Sequence, residues 1–276
     1  MTSSPLLSTI AKRLVGGKVA LITGGASGIG EGIATLFYEH GAKVAIADVQ
    51  EEIGQSLSST LCNSIYIHCD VTNEEDVQNA VNKTVSDFGK LDVMICSAGI
   101  GGENKPRIID NDKADFERVI NINLTGVFLC MKHAARVMVP AKQGCIISMA
   151  SISSVVGAAA SHAYTSSKHA VLGLTKNLSV ELGQFGIRVN CLSPYAMVTP
   201  LATKFIGIAD PHKFENTTHT AGNLKGVTLR VDDVAKAALF LATDDAKYIS
   251  GHNLLIDGGF SVFNPSLGMF KYPEST

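Results

Sequence analysis

The chain is expected to fold as an α/β protein: a doubly wound parallel sheet of about seven strands, with helices on both faces. Three observations point there. Short apolar runs alternate with helix-length segments along the chain, the pattern of repeated βαβ units. The first run ends in a glycine-rich turn that leads into a helix, as a nucleotide-binding crevice requires. Finally, 46% of the 276 residues are hydrophobic and only 17% are charged. That suffices for strands covered on both faces and is too little charge for a disordered chain.

Taken in order, Lys18–Thr23 is a continuous apolar run and reads as the first strand. A helix follows from about Ile29 to His40 and stops at Gly41, a normal C-terminal signal. Val44–Asp48, Ser64–Asp70, Leu91–Cys96 and Cys145–Met149 supply the second to fifth strands, and Ile187–Leu192 and Asn253–Ile256 the last two. Long helices are expected near Asp115–Met138 and Ser161–Leu182. No repeat or low-complexity linker marks a boundary, so residues 1–276 read as a single domain. The rhythm breaks once. Residues 199–230 are polar, mixed and weakly periodic, and read as a long irregular insertion of the kind that forms a lid or substrate loop.

Composition also excludes partners. A formal net charge of -2, with basic residues scattered singly, leaves no field for nucleic acid. The stretch Ser3–Leu7 is too short and polar for a signal-peptide core. Between Lys142 and Lys168 no charged residue occurs, yet the many Ser, Gly and Thr residues there suit a buried strand and loop rather than a membrane span. Six cysteines show no metal-ligand spacing and read as reduced thiols. No metal site, nucleic acid or membrane is expected, and the expected compartment is the cytoplasm.

Glycines at 24, 28 and 30, in Thr23-Gly24-Gly25-Ala26-Ser27-Gly28-Ile29-Gly30, let the backbone approach a pyrophosphate whose charge meets a helix N-terminus. Ser27 and Ile29 belong to the same Rossmann-type turn. Turns need glycine in any case, so placement between strand and helix carries the argument. Asp48 ends the second strand, where a carboxylate can accept both ribose hydroxyls and would repel a 2′-phosphate. No Lys or Arg in the loop could hold that phosphate, so NAD is expected over NADP. An ordinary strand-end turn residue is the other reading of Asp48. Asp70-Val71 and Ser97-Ala98-Gly99 follow the third and fourth strands and would line the same crevice.

Tyr164 and Lys168 stand four apart at a helix start and share one face. A free phenol is a poor base near neutrality; an adjacent cation favours its ionised form. Such a pair is common by chance, but here Ser151 follows the fifth strand and Asn123 lies on the long helix after the fourth.

With Arg188-Val189-Asn190-Cys191-Leu192-Ser193-Pro194 in addition, the chain resembles the short-chain dehydrogenase/reductase family from about Val15 to Phe260. The resemblance implies a catalytic set. Tyr164 would act as general acid/base and Lys168 would lower its pKa and hold the nicotinamide ribose. Ser151 would hold the substrate oxygen, and Asn123 a water linking Lys168 to solvent. Met197 (through its backbone) and Thr199 would anchor the nicotinamide. The family's usual Asn-Asn-Ala-Gly is Cys96-Ser97-Ala98-Gly99 here, and position 195 is Tyr where Gly is usual. Tyr195 would then fall beside the nicotinamide and is a candidate for the substrate pocket; Ser161 and His162 would either contact substrate or pack the helix start.

Ser193-Pro194-Tyr195-Ala196, Ser167–Val171 and Gly251–Phe260 look like a plant subgroup of borneol, isopiperitenol and secoisolariciresinol dehydrogenases. The resemblance implies NAD-dependent interconversion of a hydrophobic secondary alcohol, a cyclic monoterpenol such as borneol, and its ketone. The alternatives are a lignan dehydrogenase, or a redox-neutral cyclase or isomerase that retains NAD. It also implies a homotetramer through the helices that carry Asn123 and Tyr164. Val127, Phe128, Cys130 and Met131 are expected to give the first of these helices surplus apolar surface.

Overall fold

The computed structural model describes residues 15–264 and residue 266; the stretch Ser3–Leu7 lies outside the described residues. Seven parallel strands form one sheet: β1 (Val19–Thr23), β2 (Lys43–Asp48), β3 (Ser64–His68), β4 (Val93–Cys96), β5 (Gly144–Met149), β6 (Ile187–Pro194) and β7 (Asn253–Ile256). Their order is β3-β2-β1-β4-β5-β6-β7. The chain leaves β1 in one direction and later returns to its other side with β4. The strand ends diverge at this switch point and open a crevice, the place where such sheets bind ligands.

The helices are α1 (Gly28–Glu39), α2 (Glu51–Thr60), α3 (Glu74–Phe88), α4 (Lys113–Ile120), α5 (Gly126–Ala141), α6 (His162–Gly183), α7 (Pro200–Ile206), α8 (Pro211–Ala221) and α9 (Val231–Ala242). Alternate strand residues face opposite layers. Ala20, Ile22, Ile46, Ile95 and Ile147 pack with Phe37 of α1 and Ala238 of α9. Leu21, Ala45, Met94 and Ile146 pack with Val81 of α3, Met131 of α5 and Val171 of α6. Continuous apolar strands are the consequence of this two-sided covering. β3, at the sheet edge, is only partly buried and shorter than its apolar run.

Three expectations change. The helix expected near Asp115–Met138 is α4 and α5 joined by a widened π-helical turn, Asn121–Thr125. Residues 199–230 are not irregular throughout. Thr199 caps α7 and Asp210 caps α8, each followed by a proline in the first turn, where the missing N–H costs nothing. Lastly, Val127, Cys130 and Met131 are buried in the chain's own core, and of the four only Phe128 stays exposed. Their apolar character is used by the sheet face that α5 covers.

Candidate active site

The carboxyl ends of β1, β2, β4, β5 and β6 open into one cleft of about 410 Å³. At its β1 end the glycine turn folds onto the segment after β4. Gly24 has φ +63°, and a Cβ there would stand 2.7 Å from the Ala98 backbone. A Cβ at Gly30 would run into the Gly24 carbonyl oxygen. These positions therefore need glycine for close packing. Ser27 is the N-cap of α1 with extended backbone, yet its side chain makes no capping bond. The first amides of α1 thus keep their donors for something else, which suits an anion.

Asp48 is buried at the end of β2. One carboxylate oxygen accepts from the Ala26 N–H (3.0 Å), the other from the Gln50 N–H (3.0 Å) and the Gln50 Nε2 (3.2 Å). The carboxylate is thereby held against the glycine loop, and its bond to the Gln50 N–H is also the turn contact of a strand-end Asp. Asp70 Oδ1 accepts from the Thr72 N–H and hydroxyl at 2.9 and 2.8 Å, and Asp70, Val71, Ser97, Ala98 and Gly99 all line the cleft. Ser27, Gly28 and Ile29 line it too. Glycine backbone, helix N-terminus and a fixed carboxylate together fit a dinucleotide.

Farther along the cleft, α6 presents Tyr164 and, one turn on, Lys168. Lys168 Nζ lies 5.3 Å from the centre of the Tyr164 ring and donates to the Met149 carbonyl at 2.7 Å. Burial takes the Lys168 ammonium down to about 8. Burial also pushes the Tyr164 phenol up, against a hydrogen bond with the Ser151 hydroxyl that pulls it down. The lowering expected from the adjacent cation does not show in the chain itself: burial of the phenol sets the direction, and only the Ser151 bond opposes it. Ser151 follows β5 with extended backbone and accepts from the Ser153 N–H.

Asn123 sits in the π-helical turn, fully buried. Its Oδ1 accepts from the Ile100 N–H, and its Nδ2 donates to the Ile100 carbonyl, all at 2.9 Å. Nδ2 also donates to the Ser167 hydroxyl at 3.2 Å. The side chain therefore clamps the segment after β4 against α6. Widened turns of this kind often mark functional positions.

A family model described as enoyl-(acyl carrier protein) reductase matches residues 24–261. The chain belongs to the short-chain dehydrogenase/reductase family. It is 65% identical over 275 residues to a secoisolariciresinol dehydrogenase of Forsythia intermedia, covering 99% of each chain. It is 52% identical over 263 residues to (+)-borneol dehydrogenase 2 of Salvia officinalis, covering 92% of this chain and 93% of the other. A crystal structure of 3-ketoacyl-(acyl-carrier-protein) reductase from Brucella melitensis, complexed with NADH, has a TM-score of 0.83 and 32% identity. It matches over 90% of this chain and 99% of that one.

In this short-chain dehydrogenase/reductase, Pro194, Tyr195, Met197 and Thr199 line the same cleft as Tyr164. Thr199 accepts from the Ala202 N–H at 3.2 Å, so its oxygen caps α7 while its proton stays available to donate. The Tyr195 ring packs on Phe260 at 4.8 Å and its hydroxyl donates to the Thr218 carbonyl. Tyr195 thus ties the end of β6 to α8 while lining the cleft. Two serines support the backbone around Tyr164. Ser161 accepts from the Tyr164 N–H (3.3 Å) and donates to the Gly101 carbonyl (3.1 Å); Ser167 donates to the Tyr164 carbonyl (2.7 Å). Of the two readings of Ser161, packing the helix start is the one its N-cap bond matches; nothing local distinguishes Ser167. Among the described residues no cluster of three or more His, Cys, Asp or Glu could hold a metal ion, and no helix is long and apolar enough to cross a membrane.

Proposed function

We propose that this enzyme oxidises a bulky apolar alcohol to its carbonyl compound with NAD, or runs the reverse. The observation that carries the proposal is the convergence of Ser151, Tyr164 and Lys168 on the same cleft wall that continues to the fixed Asp48 carboxylate. A bound nicotinamide supplies the hydride acceptor. The chain's own residues bind, orient and move the proton. Ser151 holds the substrate oxygen beside the Tyr164 phenol, and Tyr164 takes the hydroxyl proton. Because burial disfavours the Tyr164 anion, the reaction leans on the Lys168 ammonium at 5.3 Å from the ring. Asn123 positions that pair through Ser167 and holds Gly99–Ile100 beside it. Asp48 accepts the adenosine ribose hydroxyls and disfavours a 2′-phosphate, while Gly24, Gly28 and Gly30 admit the pyrophosphate.

Residues 199–230 act as the substrate loop of a single domain, with Met197 and Thr199 on the nicotinamide side and Tyr195 in the pocket wall. The 65% relative supports testing secoisolariciresinol ahead of borneol. Six free thiols support a cytoplasmic location. Exposed Phe128 on α5 and Val180 on α6 support a homotetramer.

The test is NADH formation at 340 nm with secoisolariciresinol and borneol, with NAD and NADP in parallel. A rate with NAD on either alcohol is expected. Silence on both, with NAD shown to bind by calorimetry, would overturn the oxidoreductase reading in favour of redox-neutral chemistry.

A further inference from the structure

The two helices of the 199–230 segment are held very differently. In α8, Phe214 is fully buried, Tyr195 bonds to Thr218, and Lys225 donates to the His219, Thr220 and Gly222 carbonyls at its C-terminal end. By contrast, α7 has no buried residue and runs between the Thr199 cap and Gly207, whose φ of +76° ends it. Its first residue, Pro200, lies near Gly28 of the glycine turn, and its far end meets the segment after β4. There the Phe205 ring lies over Gly101, where a Cβ would come within 3.0 Å of Cδ2 and 3.2 Å of Cγ. Beside it, Asn104 Nδ2 donates to the Phe205 carbonyl at 3.1 Å. Gly101 and Phe205 both line the cleft. Gly101 is also bonded through its carbonyl to Ser161, the residue that caps the helix start at Tyr164.

We propose that Gly101 and Asn104 are positioning residues that latch α7 across the substrate end of the cleft, with Phe205 as the bolt that sets which alcohols fit. The bare Cα of Gly101 is the seat for the ring, and Asn104 holds the α7 backbone over it. Since Ser161 joins the seat to the start of α6, the latched ring stands in fixed relation to Tyr164. The inference rests on the proposed oxidation only for its kinetic arm; its exchange arm does not need turnover.

The test compares wild type with Asn104→Asp, which keeps the shape and loses the donor, and Gly101→Val, which fills the seat. Hydrogen–deuterium exchange read over residues 200–207 is expected to speed up about threefold in Asn104→Asp, the loss of one exposed hydrogen bond. In Gly101→Val about tenfold is expected, while residues 211–221 keep the wild-type rate. In NADH formation, both variants are expected to raise KM for the alcohol with kcat within about twofold and NAD affinity unchanged. Phe205→Ala is expected to lower the ratio of kcat/KM between a bulky and a small alcohol by about tenfold. Unchanged exchange over residues 200–207 in both variants overturns the latch, whatever the activity. Faster exchange in an enzyme that turns over no alcohol leaves the latch standing and removes the proposed oxidation instead. A loss shared by α8, or a uniform fall in thermal midpoint with no KM change, would reduce both residues to ordinary structural contacts and overturn the proposal.

Discussion

Lys168 makes the fold less stable, and the size of that effect can be worked from its surroundings. Its ammonium is buried against the Met149 carbonyl and falls from an ordinary 10.5 to about 8 in the folded chain. Between those values the unfolded chain holds a proton that the folded chain has released. Stability contributed by this group therefore rises with pH through that window and is flat below it. From pH 7 to 9.5 the gain is about 2 kcal/mol, and the full interval corresponds to about 3 kcal/mol. Buried thiols work the other way: burial raises Cys69, Cys145 and Cys191, and a hydrogen bond with Cys96, with burial behind it, raises Cys130, which lowers stability in alkali. The comparison must therefore be with Lys168→Met, in which the thiols cancel. Urea unfolding followed by circular dichroism should show the wild type gaining about 2 kcal/mol on Lys168→Met between pH 7 and 9.5. A difference that stays constant over this range would mean that Lys168 is not a desolvated ammonium, and the electrostatic account of Tyr164 would fall with it.

Three further outcomes are expected. Tyr164→Phe should lower kcat by at least about a hundredfold, the scale of a lost acid/base group, with NAD affinity by calorimetry unchanged; substantial residual turnover would remove Tyr164 from proton transfer. Asp48→Ala should relax the preference for NAD over NADP in kcat/KM by about tenfold or more, with a further loss of loop order because Ala26 and Gln50 lose their acceptor; an unchanged ratio would refute the ribose assignment. Cys96→Asn should stay active and lose no stability, since Ser148, its neighbour in register on β5, carries a buried hydroxyl without a partner among the described residues; a drop in thermal midpoint would show that the amide finds no bond there.

Much of this was legible in the sequence for a physical reason. A strand covered on both faces must be apolar throughout, and every strand expected from such a run is present. The structure brings the glycine turn, Asp48, Ser151, Tyr164 and Lys168 to one cleft; spacing placed Tyr164 and Lys168 on one helix face, while the role of Ser151 came from the family resemblance. What spacing does not carry is tertiary. The π-helical turn at Asn123 contains no Gly or Pro to announce a break in the helix. Ser167 acts only because Asn123, forty-four residues earlier, comes to lie beside it. The caps of α7 and α8 were written in Thr199-Pro200 and Asp210-Pro211, but weak apolar periodicity hid the short helices behind them. The direction of the Tyr164 shift also depends on burial, which four-residue spacing cannot report.

The central claim is that hydride leaves the alcohol carbon for NAD while Tyr164 handles the proton. It is tested most directly with secoisolariciresinol or borneol carrying deuterium on the carbinol carbon, incubated with enzyme and NAD and followed by mass spectrometry of both products. Deuterium recovered in NADH in step with the oxidised product, and absent with Tyr164→Phe, is the predicted result. Product formed without deuterium in the nucleotide would contradict it.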